Sequence, residues 1–204
     1  MANFNDAISY IFRNEGGFSL DPDDTGNYDA FGNLIGTNYG ITGQVARDYG
    51  YMGPMAELPV EKAAEIYRAG YWQGLENIED QAIATKLLDI FVNLGRGNGT
   101  RVAQNAANWF EGNNIAVDGG FGPITIEAIN RCEAADYLEA LVSELEGYYL
   151  DLVERKPAKQ KYLTGWLNRA KKLPSMAVQA IMDNPGASIG ILAAVVGLGL
   201  LVKK

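Results

Sequence analysis

At 204 residues the chain is long enough for one sizeable core, or for a main domain with a smaller appendage. Apolar residues at 48 % and charged residues at 21 % fit a folded protein with one additional apolar segment, and a net charge of -8 without any basic stripe argues against nucleic acid as a partner. Because the chain has no histidine, zinc amidase, metalloprotease, Ser-His and Cys-His chemistries lose the imidazole they depend on, and carboxylates become the natural acid and base.

The N-terminus, MANFNDAISYIFRNEGG, lacks a basic start followed by a long apolar run, so no secretory signal is expected. A first helix is expected to open with Asn3 or Asn5 as N-cap, to bury Ala7, Ile8, Ile11 and Phe12, and to stop at Gly16-Gly17 with Glu15 on its last turn. Residues 18–41 then turn polar, rich in Gly, Asp and Asn. Their short apolar pieces around Gly32-Asn33 read as a small β-hairpin or irregular lobe. Thr42 is placed to cap a short helix through Val45, Ala46 and Tyr49, and Pro59 to open another whose Ala63, Ile66 and Tyr67 face inward. Ile83, Leu87, Ile90, Phe91 and Leu94 recur at helical spacing up to Gly95, which predicts the central core helix.

Further helices are predicted from Thr100 to Glu111, from Pro123 to about Ala135, from Asp136 to about Glu154, and around Trp166. GRGNG at 95–99 and ERKPAKQKYLTG at 154–165 read as seams between elements. Cys132, the single cysteine, sits among helix-forming residues and reads as a buried structural thiol. Residues 186–202, GASIGILAAVVGLGLLV, carry no charge and are closed by Lys203 and Lys204, a length at the short edge of what spans a hydrocarbon core of ~30 Å. Apolar residues occupy every face of that segment, and its glycines are better tolerated in lipid than in a water-exposed helix. A C-terminal transmembrane helix in a virion membrane or bacterial inner membrane is therefore expected, reached through a linker at 173–185, with the bilayer as a partner.

Glycosidic cleavage needs a proton donor near the leaving oxygen and a second group that activates water or stabilises the oxocarbenium-like transition state. Glu15 suits the first role, since a helix C-terminus disfavours negative charge and the two glycines after it give a substrate room. Asp21, Asp23, Asp24 and Asp29 crowd the lobe that follows and supply candidates for the second, although Asp before Pro or Gly is also ordinary turn chemistry. Asp21 and Asp23 ahead of Gly26 faintly echo a calcium loop, but Pro22 and the lack of a closing Glu argue against it, so neither metal nor cofactor is expected.

EGGF at 15–18, DPDDTG at 21–26 and TNYGIT at 37–42 resemble the N-terminal signature of the bacterial and phage muramidases grouped as glycoside hydrolase family 108. IYRAGYW at 66–72, LDIFVNLG at 88–95, VDGGFGPIT at 117–125 and GWLNRA at 165–170 continue the resemblance in the right order up to about residue 172. It implies a mostly α, lysozyme-like fold with a small β lobe, peptidoglycan as partner, and hydrolysis of the bond between N-acetylmuramic acid and N-acetylglucosamine. The catalytic glutamate it implies is Glu15, with Asp24 and Thr37 matching the Asp and Thr of the broader phage lysozyme pattern. NYDAFGNLIG, between Gly26 and Thr37, is longer than the corresponding family segment, which makes Asp29 an alternative to Asp24.

Thr37 would hold the attacking water and Tyr39 would stack on a sugar face, unless they serve as a strand residue and a core aromatic. Asn93 and Gln104 are candidates for hydrogen bonds to sugar. Residues 1–98 would form the catalytic region, and 99–172 a helical part resembling a peptidoglycan-binding module. In that part Asp118, Gly119, Gly122, Pro123 and Thr125 build a turn into a helix, and Pro123 at a first helical position explains much of the motif without a ligand. Two functions remain at this stage, a membrane-anchored, phage-encoded muramidase and a non-catalytic wall-binding or structural virion protein with the same fold. No oligomeric state follows from the sequence, since Gly197 and Gly199 lack the GxxxG spacing.

Overall fold

Ten consecutive residues, Ala82 to Phe91, are buried in the helix α4 (Gln81–Leu94), a pattern possible only where neighbours pack on every side. The computed structural model describes residues 1–14 and 17–174, and they pack as two units, 3–73, and 1–2 together with 74–174. Elements in the described residues are mostly helical, with one two-stranded sheet. No helix among them is long and apolar enough to cross a membrane. The anchor expected at 186–202, and the linker from residue 175 onward, lie outside the described residues, as does Glu15.

In the 3–73 unit, α1 (Phe4–Asn14) opens where the Asn3 side chain accepts the Asn5 amide at 2.8 Å, and it buries Phe4, Ala7, Ile8 and Ile11. The strands β1 (Thr37–Asn38) and β2 (Ile41–Thr42) pair antiparallel, with Thr37 opposite Thr42 and Asn38 opposite Ile41. Their two-residue turn is Tyr39-Gly40, both with positive φ, at 52° and 74°, as a tight hairpin of matching twist requires. The turn expected at Gly32-Asn33 exists, with Gly32 at φ 81°, but it closes an irregular loop held by one bridge between Tyr28 and Leu34 rather than a hairpin. Thr42 caps α2 (Gly43–Asp48) through the Val45 amide. Pro59 precedes α3 (Val60–Tyr67), which runs on as a π-helical turn over Arg68–Trp72.

In the second unit, Asp80 caps α4 by accepting the Ile83 amide at 2.9 Å. The helices α5 (Arg96–Ala107), α6 (Pro123–Asn130), α7 (Ala134–Arg155) and α8 (Leu163–Lys171) complete it, with α5 packed on α4 and α7. GRGNG joins α4 to α5, with Gly95 ending the one and preceding the other, and is itself mostly helical. It forms the first turn of α5, and a Cβ on Gly99 would lie 2.6 Å from the Phe91 ring, so that glycine lets α5 approach α4 closely. The helix predicted from Thr100 to Glu111 therefore starts earlier and ends at Ala107, and the one predicted to about Ala135 stops at Asn130. The 154–165 stretch is a real interruption, with a 3-10 turn at Pro157–Tyr162 between α7 and α8. Cys132 is only half-buried, its thiol donating to the Ala128 carbonyl, and burial raises its pKa.

Two charges lie inside this core. Lys86, fully buried, donates to the carbonyls of Arg169 at 3.1 Å and Lys172 at 2.8 Å, and lies 3.6 Å from Asp89. Asp89 in turn takes the Arg169 guanidinium at 2.9 Å. Burial lowers the Lys86 pKa, opposed by the Asp89 charge. The end of α8 is thus closed by an ammonium from α4, which shares the Arg169 carbonyl with the Lys172 amide.

Next to this cluster Tyr149 stacks on Trp166, ring centroids 5.2 Å apart, and burial pushes its phenol up to about 12 from 10.0. A phenol that stays neutral when folded but ionises when unfolded stabilises the fold fully below pH 10, and that contribution is lost as pH rises through the folded value. The amount is roughly 2–3 kcal/mol. Urea unfolding followed between pH 9 and pH 12 is expected to show wild type losing stability across this window and Tyr149→Phe losing less. Equal slopes for the two proteins would refute the assignment.

Candidate active site

The polar lobe after α1 is organised around Gly26. Its amide donates to Asp24 Oδ1 at 2.9 Å, and its carbonyl accepts from the Thr37 hydroxyl at 3.4 Å, so one peptide segment holds both side chains. Asp24 is the cap of the 3-10 turn Thr25–Asn27, an extended residue whose carboxylate stays exposed, and among the described residues no bond occupies its Oδ2. Thr37 is half-buried at the start of β1, with its backbone paired to Ser19 on one side and to Thr42 on the other. Sequence reasoning placed both residues in the lobe without seeing what joins them. A Cβ on residue 26 would stand 3.2 Å from Asp24 Oδ1, tighter than normal contact, so a glycine there keeps the carboxylate in place.

Asn27 is a positioning residue that the sequence reading missed. It is fully buried, donates its amide to the Asp21 carbonyl at 2.9 Å, and its backbone carbonyl accepts both the Ile35 and Gly36 amides. It thereby ties the 21–26 segment to the chain that enters β1. An asparagine inside TGN looks like a turn residue, and no signal in the sequence marks it as core.

Asp29 occupies a different environment. Its carboxylate accepts the amides of Phe31 at 2.9 Å and Asn33 at 2.8 Å, the Asn33 side chain at 3.1 Å, and the Arg47 guanidinium at 2.7 Å. The Asn33 bonds first and then the Arg47 pair hold its pKa far below the usual carboxylate range. Such a group is a permanent anion at the centre of the 29–33 turn. The long NYDAFGNLIG segment is thus folded back on itself and pinned to α2.

Tyr39 packs its ring against Phe12, centroids 5.3 Å apart, and its carbonyl accepts the Tyr67 hydroxyl at 2.7 Å. That bond supports the positive φ, which is costly for a residue with a side chain. The ring is half-buried against the 3–73 core, closer to the core-aromatic reading than to an open platform. A cavity of about 270 Å³ opens elsewhere on this unit, lined by Phe18, Ile35, Arg47, Tyr51 and Met55, and neither Asp24 nor Thr37 borders it.

Asn93 is exposed and spends its amide on the Asp89 carbonyl of its own helix at 2.8 Å. Gln104 is 1 % exposed, and its side chain is committed to the 118–125 turn instead of facing a ligand. The Nε2 group donates to Asp118 Oδ1 at 2.8 Å, the Gly120 carbonyl at 3.2 Å and Thr125 Oγ1 at 3.1 Å, while Oε1 accepts the Gly119 amide at 2.9 Å. Sequence spacing alone could not distinguish this buried hub from a sugar-binding amide. Asp118 and Thr125 of the VDGGFGPIT motif are therefore bound to a core glutamine, and Pro123 begins α6 as expected.

Residues 8–95 match the glycosyl hydrolase 108 family, and residues 98–171 match a family described as a predicted peptidoglycan domain. This division at 95–98 differs from the division by packing at 73–74. No curated protein matches the chain. Among solved structures, that of Brucella abortus SagA aligns with a TM-score of 0.67 at 21 % identity, over 86 % of this chain and 94 % of that one, which establishes a shared, mostly helical fold. The chain is thus similar to glycosyl hydrolase 108 proteins over its first part and to a predicted peptidoglycan domain over its second, and it is a glycoside hydrolase of the muramidase, or lysozyme, type.

Proposed function

We propose that the chain is an N-acetylmuramidase that hydrolyses the β-1,4 bond between N-acetylmuramic acid and N-acetylglucosamine in peptidoglycan. Glu15 acts as the general acid and Asp24 as the second carboxylate. The observation that carries the choice of Asp24 is the contrast between the two aspartates of the lobe. The Asp24 carboxylate is exposed and accepts only the Gly26 amide among the described residues, whereas that of Asp29 accepts from four donors, three in its own turn and one from Arg47 on α2. The role of Glu15 rests on the EGGF motif and its match to the family, since that residue lies outside the described residues.

The chemistry follows from these roles. Glu15 hands a proton to the departing sugar oxygen, and Asp24 meets the positive charge that develops at the anomeric carbon or accepts a proton from the attacking water. The Thr37 hydroxyl orients that water. None of these steps needs an imidazole. The uncharged 186–202 stretch anchors the enzyme in a bacterial inner membrane or virion membrane, and a phage-encoded protein used for wall penetration or lysis fits that combination.

Zymography on purified peptidoglycan is expected to show clearing by wild type, and at least a hundredfold less by Glu15→Gln and by Asp24→Asn, both with unchanged unfolding midpoints. Undiminished clearing by Glu15→Gln would refute the mechanism. Asp29→Asn behaves differently, because it removes the anion from four donors. Limited proteolysis is expected to cut the 28–34 loop faster in that variant, and to show the wild-type loop retaining its protection when pH falls through 4, where ordinary carboxylates titrate. The stabilisation from a depressed pKa is present above the unfolded value and lost only as pH falls through the folded one, so wild-type cleavage rising at pH 4 would contradict the role given to Asp29. Removing residues 186–204 is expected to abolish the need for detergent during purification, and a truncated chain that still requires detergent would rule out the anchor.

A further inference from the structure

The three tryptophans of this chain are used in different ways. Trp72 is buried against Phe4, and Trp166 stacks between Tyr149 and Tyr162. Trp109 follows the end of α5, is 58 % exposed and has no ring partner among the described residues. Its polar edge is fixed, however, because Nε1 donates to Glu144 Oε1 on α7 at 2.7 Å. That charge-assisted bond sets the plane of the indole before anything binds.

Glu144 is itself half-buried, and the bond to Trp109 engages only one of its two oxygens. The next residue, Phe110, turns inward against Tyr137, centroids 6.4 Å apart, so the exposed indole stands on a packed base. An open aromatic face of fixed orientation, with an ionised acceptor at its edge, suits a ligand that offers an apolar ring face and hydroxyl donors side by side. A pyranose ring has that character. The carboxylate selects against the anionic parts of a stem peptide and accepts from a neutral sugar hydroxyl.

We infer that Trp109 and Glu144 form a binding subsite for the glycan strand of peptidoglycan, distinct from the Asp24–Thr37 pair. The inference rests on peptidoglycan being the substrate, and it assigns recognition within residues 98–171 to the sugar chain rather than to the peptide cross-links. The 118–125 motif, whose Asp118 and Thr125 are tied to Gln104, is left a structural part.

The test uses the full chain in detergent, in a Glu15→Gln background so that turnover does not alter the ligand, and measures co-sedimentation with purified sacculi. Trp109→Ala is expected to weaken binding about tenfold or more, Glu144→Gln severalfold, and Trp109→Phe less than Trp109→Ala. Because Trp109 is exposed, all three should keep the wild-type circular dichroism and melting temperature. Chito-oligosaccharide should displace the wild-type-indole protein from sacculi, and a soluble stem peptide should not. Sacculus binding by Trp109→Ala equal to the parent, or displacement by stem peptide alone, overturns the proposal. Failure of the catalytic reading would appear separately, as wall digestion that survives Glu15→Gln.

Discussion

Lys86 keeps its place inside α4 because three acceptors converge on it. Asp89 lies one turn further along the helix, and the carbonyls of Arg169 and Lys172 come from the end of α8. A buried ammonium without such partners would be far too costly, so the packing of α8 and the charge in α4 require each other. Arg169 then neutralises the remaining side of Asp89, and Tyr149 and Trp166 shield the group from water. The last helices of the 74–174 unit are held to its first helix by this small polar core as much as by apolar burial.

The lobe in the other unit shows a similar division of labour among its acids. Four aspartates lie within nine residues, and the fold gives them unequal work. Asp21 accepts the Asp23 amide, a local turn bond, and Asp29 becomes the fixed anion of a longer turn. Asp24 alone combines exposure with a backbone link to Thr37. Crowding of acids in a short segment therefore does not mean that they share one site. The turn geometry buries Asp29 and leaves the other three exposed, each with its own local bonding.

Several helix starts were legible in the sequence, whereas the ends of α5 and α6 were not. Asn3 and Thr42 mark starts because capping is a local matter between a side chain and amides two or three residues away, and Pro59 marks one through its fixed φ. The central helix and its buried stripe were equally clear from spacing. What escaped the sequence depends on partners distant along the chain. Gly99 looks like a helix breaker until Phe91 is seen against it, and the Tyr39-Gly40 turn is hidden because a tyrosine rarely takes positive φ and needs the Tyr67 hydroxyl to do so. In the candidate site Asp24 and Thr37 were legible through motif resemblance. Gly26 as their link, Asn27 as their support and Gln104 as a turn organiser were not, since each acts through hydrogen bonds across many residues.

The bond from Lys86 to the Lys172 carbonyl also has a mechanical meaning. The tie joins the end of α8 to α4, so a pull applied at Lys172 would load it together with the bonds along α8. Load applied in shear across such a joint must break several bonds together, whereas load applied at a frayed helix end unzips them singly. For a chain pulled from that end, the joint would add a bond across two helices to those running along α8.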